Sequence, residues 1–558
     1  MLRTTTFTVA MMALAGVLAA NVEHEESTPV LKAMQASVNA GPPIHVRLPE
    51  GGVAGWAEIG GSSAAAGDRS HILDAISDYS RRHGPFSTPG TRGVFEPFSI
   101  FPVGGREWED LIMFDYVDLS SDDGTLEHWN CGGRYTYDGS YANSAWLKSF
   151  DQQLIGVPVI AVLDGTVTEF RDSEPDQNEV PGDGLTNYIG IHHGGDRYCW
   201  YESLKQGSVT VEVGDEVLAG QQIAQVASSG GASWPGLRFS TWEPTGNVDE
   251  WIHVEPYAGD CNPGSSGWQN QIDIPVGAEC RDFGITTSNL SDFYADEIYS
   301  WRPPLEGSIT LNHDRLWMWT YATDIGIFST YQLRFYDPAG NLNYDTGTQW
   351  LNFSSTSYRQ FITWFAWDIP GLHTIPGTWT VDVIVNGDPY INFPLEVLQP
   401  GTILPNRPPK PIATSISPPD ATPDDFLTCR VYTLDVDDPD WDLLSFEYTW
   451  TVGGRVVRQV TSAGLADHLP RLEGCDGAVV TCQVVPSDGS LNGPTSFDVV
   501  RLSGFSSGDL NCDGSIGIED LLVILNEWGA CDICSGDLDQ NAVVDITDLL
   551  AVIAEWEG

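Results

Sequence analysis

Short apolar segments that alternate with polar residues, each broken by a glycine-containing turn, fill most of this 558-residue chain and leave little room for long helices. The stretch GVPVIAVLDGTVTEF alternates about Asp164-Gly165, and NYIGIHHGGDRYCWYESL about Gly194-Gly195. GSVTVEVGDEVLAGQQIAQVASSG adds turns at Gly214-Asp215 and Ala219-Gly220. These stretches predict an all-β domain of hairpins over about 91–260. Upstream, residues 21–90 carry weak patterning and read as an irregular segment with one short helix around HILDAISDYSRR.

Residues 281–399 again read as strands, with the aromatic-rich RLWMWTYAT, YQLRFYDPAG and GTWTVDVIVNG, and predict a β-sandwich. The Pro-rich PGTILPNRPPKP separates them from a second sandwich over 408–503. In that second unit Cys429 and Cys482 lie in early and late strands, with Trp450 between them. The order resembles that of immunoglobulin-like domains, and the resemblance implies a Cys429–Cys482 disulfide packed on the tryptophan. Cys261 and Cys280 bracket a Gly/Pro/Asn-rich loop and form a second candidate pair, with Cys131–Cys199 a third. Cys531 and Cys534, with two residues between them, suggest a small local disulfide.

Charge narrows the partners. Twenty-six Lys and Arg against 77 Asp and Glu give a net charge of −51, which disfavours nucleic acid and anionic membrane surfaces. The first twenty residues carry Arg3, an apolar run from Phe7 to Leu18 and small residues for cleavage, the pattern of a secretory signal. No later segment is long enough to span a bilayer. The expectation is an exported protein, in which cysteines serve mostly as disulfides.

The tail repeats itself. GDLNCDGSIGIEDLLVILNEWG is followed by GDLDQNAVVDITDLLAVIAEWEG, and Asp509 to Asp537 and Trp528 to Trp556 are both 28 residues apart. Each copy offers calcium-ligating oxygens on a twelve-residue loop that enters an apolar helix. The first supplies Asp509, Asn511, Asp513, the Ser515 carbonyl and Asp520, with Gly514 at the sharp turn. The second supplies Asp537, Asp539, Asn541, the Val543 carbonyl, Asp545 and Asp548, with Ala542 at the turn. The pair over 508–558 resembles a dockerin, which implies two calcium ions and a cohesin-like or surface docking partner.

Residues of about 130–243 resemble the M23 peptidases, the lysostaphin- and LytM-like zinc endopeptidases of wall cross-bridges. The resemblance implies a zinc held by three protein ligands and two catalytic histidines. The matching ligand places hold Ser140, Ser144 and Arg238, and the catalytic places hold Ser203 and Gly236. A hydroxyl is a poor zinc ligand at neutral pH and a guanidinium repels the metal, so no zinc site and no catalytic residue is expected. Asp138, His128, His192, His193 and His253 are the side chains that a shifted register would recruit, and Ser203 with His193 the pair for a serine hydrolase. Trp200, Trp234 and Trp242 serve either as core or as stacking platforms for a glycan or wall peptide.

The expected fold class is therefore mainly β and multidomain: an M23-type antiparallel sheet, two immunoglobulin-like sandwiches and a small α-helical EF-hand pair. The expected function is a non-catalytic binding or scaffold protein. An active M23-type metalloendopeptidase and a structural spacer are the alternatives.

Overall fold

The computed structural model describes residues 44–48, 51–57, 69–83 and 96–556, apart from 123, 178–184, 195–196, 231, 233, 246–249, 278, 297–300, 311, 326–328, 351–357, 434–437, 505–507 and 532. The expected signal segment, 1–20, lies outside the described residues. Among those described, no helix is long and apolar enough to cross a membrane. The chain is mainly β, in several sheets.

The hairpins of the first domain join one antiparallel sheet. Its order is Ile112–Asp115, Asn143–Trp146, Gly236–Pro244, Arg197–Glu202, Tyr188–His193, Gly165–Arg171 and Glu216–Val217, with Trp251–Val254 also paired to Gly236–Pro244. Alternation sorts each strand into two faces. Ile189, Ile191, Cys199, Tyr201, Leu237 and Phe239 enter the main core with Val159, Val162 and Ile223. Tyr188, Tyr198, Trp200 and Trp242 point the other way, and Ile72, Ile76 and Tyr79 pack on them.

Those three come from the helix Ser70–His83, the one read in HILDAISDYSRR. Their spacing of four and three residues makes a single apolar stripe, which suits a helix laid on a sheet. Upstream, Ile44–Leu48 and Gly51–Ala57 form an antiparallel hairpin, so residues 21–90 are not uniformly irregular. The hairpin extends a distant sheet by pairing with Tyr358–Asp368. The alternation of Ile44, Val46 and Leu48 is a weak signal because Gly51, Gly52 and Gly55 dilute its second arm.

That sheet runs hairpin, Tyr358–Asp368, Arg315–Ile325, Glu279–Thr286, and faces a six-stranded sheet that includes Asp388–Leu398, Gly377–Val385 and Thr330–Tyr336. Leu316, Met318, Trp379, Val381, Phe393 and Leu395 fill the core around them. The second sandwich opposes a three-stranded and a four-stranded sheet about Trp450, Cys429 and Cys482, all completely buried.

The two cysteines face each other as thiols within hydrogen-bonding reach, not as a disulfide. Two other expected pairs are corrected. Cys261 bonds to Cys131, 130 residues earlier. Cys280 donates its thiol hydrogen bond to the Asp282 carbonyl, and Cys199 is a buried thiol beside Thr241. The loop bracket at Cys261 misled because the fold brings a distant chain segment closer than the near one. Cys531–Cys534 is a disulfide, and Cys475–Cys512 ties the second sandwich to the tail.

Candidate functional site

Strand register assembles the positions singled out in the first domain. Asp115 pairs with Ser144, Ser144 with Arg238, Arg238 with Glu202, and Glu202 with Tyr188, so these side chains form one row across five strands. Arg238 lies in the middle, with Ser144 and Glu202 at the adjacent positions and Asp115 one strand beyond Ser144. Its guanidinium donates to the Tyr137 hydroxyl and stacks over the Tyr141 ring at 4.1 Å. Tyr141 in turn donates to Glu202 Oε2 at 3.2 Å, and Ser140 Oγ donates to Asp115 Oδ2 at 3.1 Å. Asp115, Ser140, Ser144 and Glu202 are buried.

This is a self-contained electrostatic unit. Burial works against the Arg238 charge, but Tyr137, Tyr141, Glu202 and Asp115 outweigh it and hold its pKa above the ordinary arginine value. The turn that presents Ser140 is fixed from below: Asp118 Oδ2 accepts from the Gly139 N–H at 3.1 Å, and its Oδ1 from Ser120 and Glu127. His71 of the covering helix approaches Glu202 Oε1 at 3.5 Å. The helix therefore seals the same sheet face that carries Arg238.

The two proton-handling places fare no better. Gly236 sits opposite Trp146, and a Cβ there would come within 2.5 Å of Trp146 Cδ1 and 2.8 Å of the Ala145 carbonyl. Ser203 is buried in a left-handed conformation, φ 68°, with its N–H donated to Thr186 Oγ1. His193 is at the far end of its strand, buried, with Nδ1 on the Asp164 carbonyl at 2.8 Å, and burial lowers its pKa to about 4. His253 lies beside Arg69 and is lowered to about 4 by burial and that charge. His128 accepts from the Asn130 N–H, and His192 packs on Tyr198. Asp138 adjoins Asp118 on the Ser140 turn. These side chains are dispersed over the domain rather than gathered at one point.

Trp200, Trp234 and Trp242 are core residues, each at most 2% exposed. The acids Asp115 and Glu202 were not singled out from the sequence. Their signal is a carboxylate inside an otherwise apolar strand, in LIMFDYV and RYCWYES.

In the tail the two loops have matching hydrogen bonds. Asp509 accepts from the Asp513 and Gly514 N–H groups, and Asp537 from those of Asn541 and Ala542. Asp520 and Asp548, both buried, each accept from three backbone N–H groups of their own loop. Gly514 and Ala542 are both left-handed, φ 86° and 65°. Asp537, Asp539 and Asp548 bring carboxylate oxygens within 4.8 Å of one another, a donor set that fits a hard divalent cation.

The helices that follow are Ile518–Asn526 and Ile546–Glu555. Ile524 and Val552 point into the tail's small core with Leu510 and Val544. Ile518, Leu522, Leu525 and their counterparts Ile546, Leu550, Ile553 point outward, each 47–60% exposed.

The model of Peptidase family M23 matches residues 151–250. Among solved structures, a mutant catalytic domain of the prophage-encoded M23 protein EnpA from Enterococcus faecalis is 18% identical, covering 28% of this chain and 93% of that chain, with a TM-score of 0.19. The catalytic domain of lysostaphin from Staphylococcus simulans is 22% identical over 26% of this chain and 86% of that one, with a TM-score of 0.16. A chain of the SpoIIQ–SpoIIIAH pore-forming complex is 20% identical over 29% and 90%, with a TM-score of 0.21. A comparison with curated proteins finds no match. The chain thus carries an M23 peptidase-like domain at residues 151–250.

Proposed function

We propose that this is an exported, non-catalytic scaffold protein whose M23 peptidase-like domain has exchanged zinc chemistry for a structural ion cluster, and whose tail binds calcium and docks a partner. The observation that carries the first part is Arg238. It shares one cross-strand row with Asp115 and Glu202, its guanidinium lies on the Tyr137 hydroxyl and the Tyr141 ring, and hydroxyl-bearing Ser140 and Ser144 hold the other two ligand places. A permanent cation held by two tyrosines and favoured by the charges of Glu202 and Asp115 competes with a metal ion for the same charge. The contact distances at Gly236 add that the first catalytic place has no room for an imidazole.

The tail reading rests on the duplicated loops and on the exposed apolar rows that follow them with the same 28-residue offset. An apolar stripe at helical spacing left in solvent favours a partner surface, and a cohesin-like protein is the proposed class. Calcium there would draw on Asp509, Asn511, Asp513 and Asp520, and on Asp537, Asp539, Asn541, Asp545 and Asp548, ordering the loops from which both helices start.

The test is to incubate the full chain with zinc and wall cross-bridge peptides and follow cleavage by mass spectrometry. The expected outcome is intact peptide. Chelator-sensitive cleavage would establish the rival reading, an active metalloendopeptidase.

A further inference from the structure

The two tail loops are alike in their own hydrogen bonds but not in what holds them. Cys512 occupies the fourth position of the first loop, between the proposed ligands Asn511 and Asp513, and is bonded to Cys475 of the second sandwich. Arg455, on the sandwich strand Arg455–Ser462, donates from Nε to the Asn511 carbonyl at 3.0 Å and from Nη2 to the Cys512 carbonyl at 2.6 Å. Gly453, at the preceding turn, lies so close that a Cβ would stand 1.9 Å from the Leu510 carbonyl. Three successive residues, 510–512, are therefore clamped by one hairpin and one disulfide.

The equivalent fourth position of the second loop is Gln540, whose side chain makes one long hydrogen bond, 3.4 Å, to the Gly504 carbonyl. Both fourth-position residues are left-handed, φ 53° at Cys512 and 57° at Gln540. For a side chain larger than glycine that conformation costs about 1 kcal/mol and persists when the surroundings impose it. The sandwich imposes it on the first loop. The second loop lacks an equivalent clamp among the described residues.

We infer that the first loop is a redox-dependent calcium joint: the Cys475–Cys512 bond and Arg455 hold it in the shape the ion requires, so its calcium affinity, and not that of the second loop, depends on that disulfide. The inference rests on the calcium reading of the tail. Preorganisation lowers the ordering cost of binding, and opening the bond restores that cost. By linkage the ion must protect the bond to the same degree that the bond favours the ion. Opening by dithiothreitol balances as a two-electron exchange: the reagent closes to its cyclic disulfide, and Cys475 and Cys512 each end as a thiol.

The experiment uses the full chain with one loop silenced at a time, Asp539→Ala for the second and Asp513→Ala for the first, each with and without the pair Cys475→Ser and Cys512→Ser. Calorimetric titration with calcium chloride gives the affinity of the remaining site. Removing the disulfide is expected to weaken the first loop by about tenfold and to leave the second within about twofold. Calcium should also slow reduction of Cys475–Cys512 in the unmodified chain, read by peptide mapping over time in dithiothreitol. Equal first-loop affinities with and without the bond overturn the inference. Should the serine variants fail to fold, equal reduction rates with and without calcium overturn it. No calcium uptake by either disulfide-intact chain removes the calcium reading itself, and the inference with it.

Discussion

Replacing Arg238 by methionine removes the guanidinium and keeps most of the side-chain volume. Asp115 and Glu202, both buried, then lose the cation that shares their row, and the Tyr137 hydroxyl loses its donor. Breaking a buried ion cluster by deleting one partner costs about 3–5 kcal/mol; because Arg238 itself is partly exposed, the lower end, about 3 kcal/mol, applies. For a domain of this size each kcal/mol moves Tm by about 2–4 °C, so scanning calorimetry of the full chain should find the first-domain transition lowered by about 6–12 °C near neutral pH. A variant as stable as the parent at neutral pH would refute the claim that Arg238 is the centre of a structural cluster.

Further outcomes follow from other sites. Burial raises Glu107 to about 7 and Glu255 to about 8, so both favour the fold while protonated, and that contribution is lost as pH rises from the ordinary carboxylate range through 7–8. Thermal scans should therefore find stability declining over that window, less steeply in Glu255→Gln. Gly236→His should destabilise the first domain by about 1–3 kcal/mol in urea titration and create no peptidase, because its Cβ meets Trp146 and the Ala145 carbonyl. Ala542→Gly relieves a left-handed alanine and should stabilise the calcium-free tail by up to about 1 kcal/mol, read by hydrogen exchange. In exported material Cys429 and Cys482, already face to face, should be recovered as a disulfide by non-reducing peptide mapping; free thiols there would count against export through an oxidising compartment.

Local patterns carried much of this structure into the sequence. The strands about Asp164-Gly165 and Gly194-Gly195 were legible because alternation and turn chemistry are short-range. The helix at Ser70–His83 was visible as a helix, but nothing local indicated which surface it covers. The partners of Arg238 were not legible: Asp115 and Glu202 reach it through the register of separate strands, from 123 residues upstream and 36 residues upstream. Cys131–Cys261 was missed for the same reason, since contact between distant segments is a property of the sheet order. The tail was the most legible part, because two copies state the same loop and helix pattern twice. Its attachment to the second sandwich through Cys475 and Arg455 was not, since neither belongs to the repeat.

Whether a guanidinium has taken the place of zinc is tested most directly by metal content. The full chain would be equilibrated with excess zinc at neutral pH, freed of loosely held ions by gel filtration, and measured by elemental mass spectrometry alongside the Arg238→Met variant. The prediction is no zinc above the buffer blank in either protein, since removing the cation alone leaves Ser140 and Ser144 at the other ligand places. One zinc per chain in the unmodified protein, removable by chelator, would contradict it.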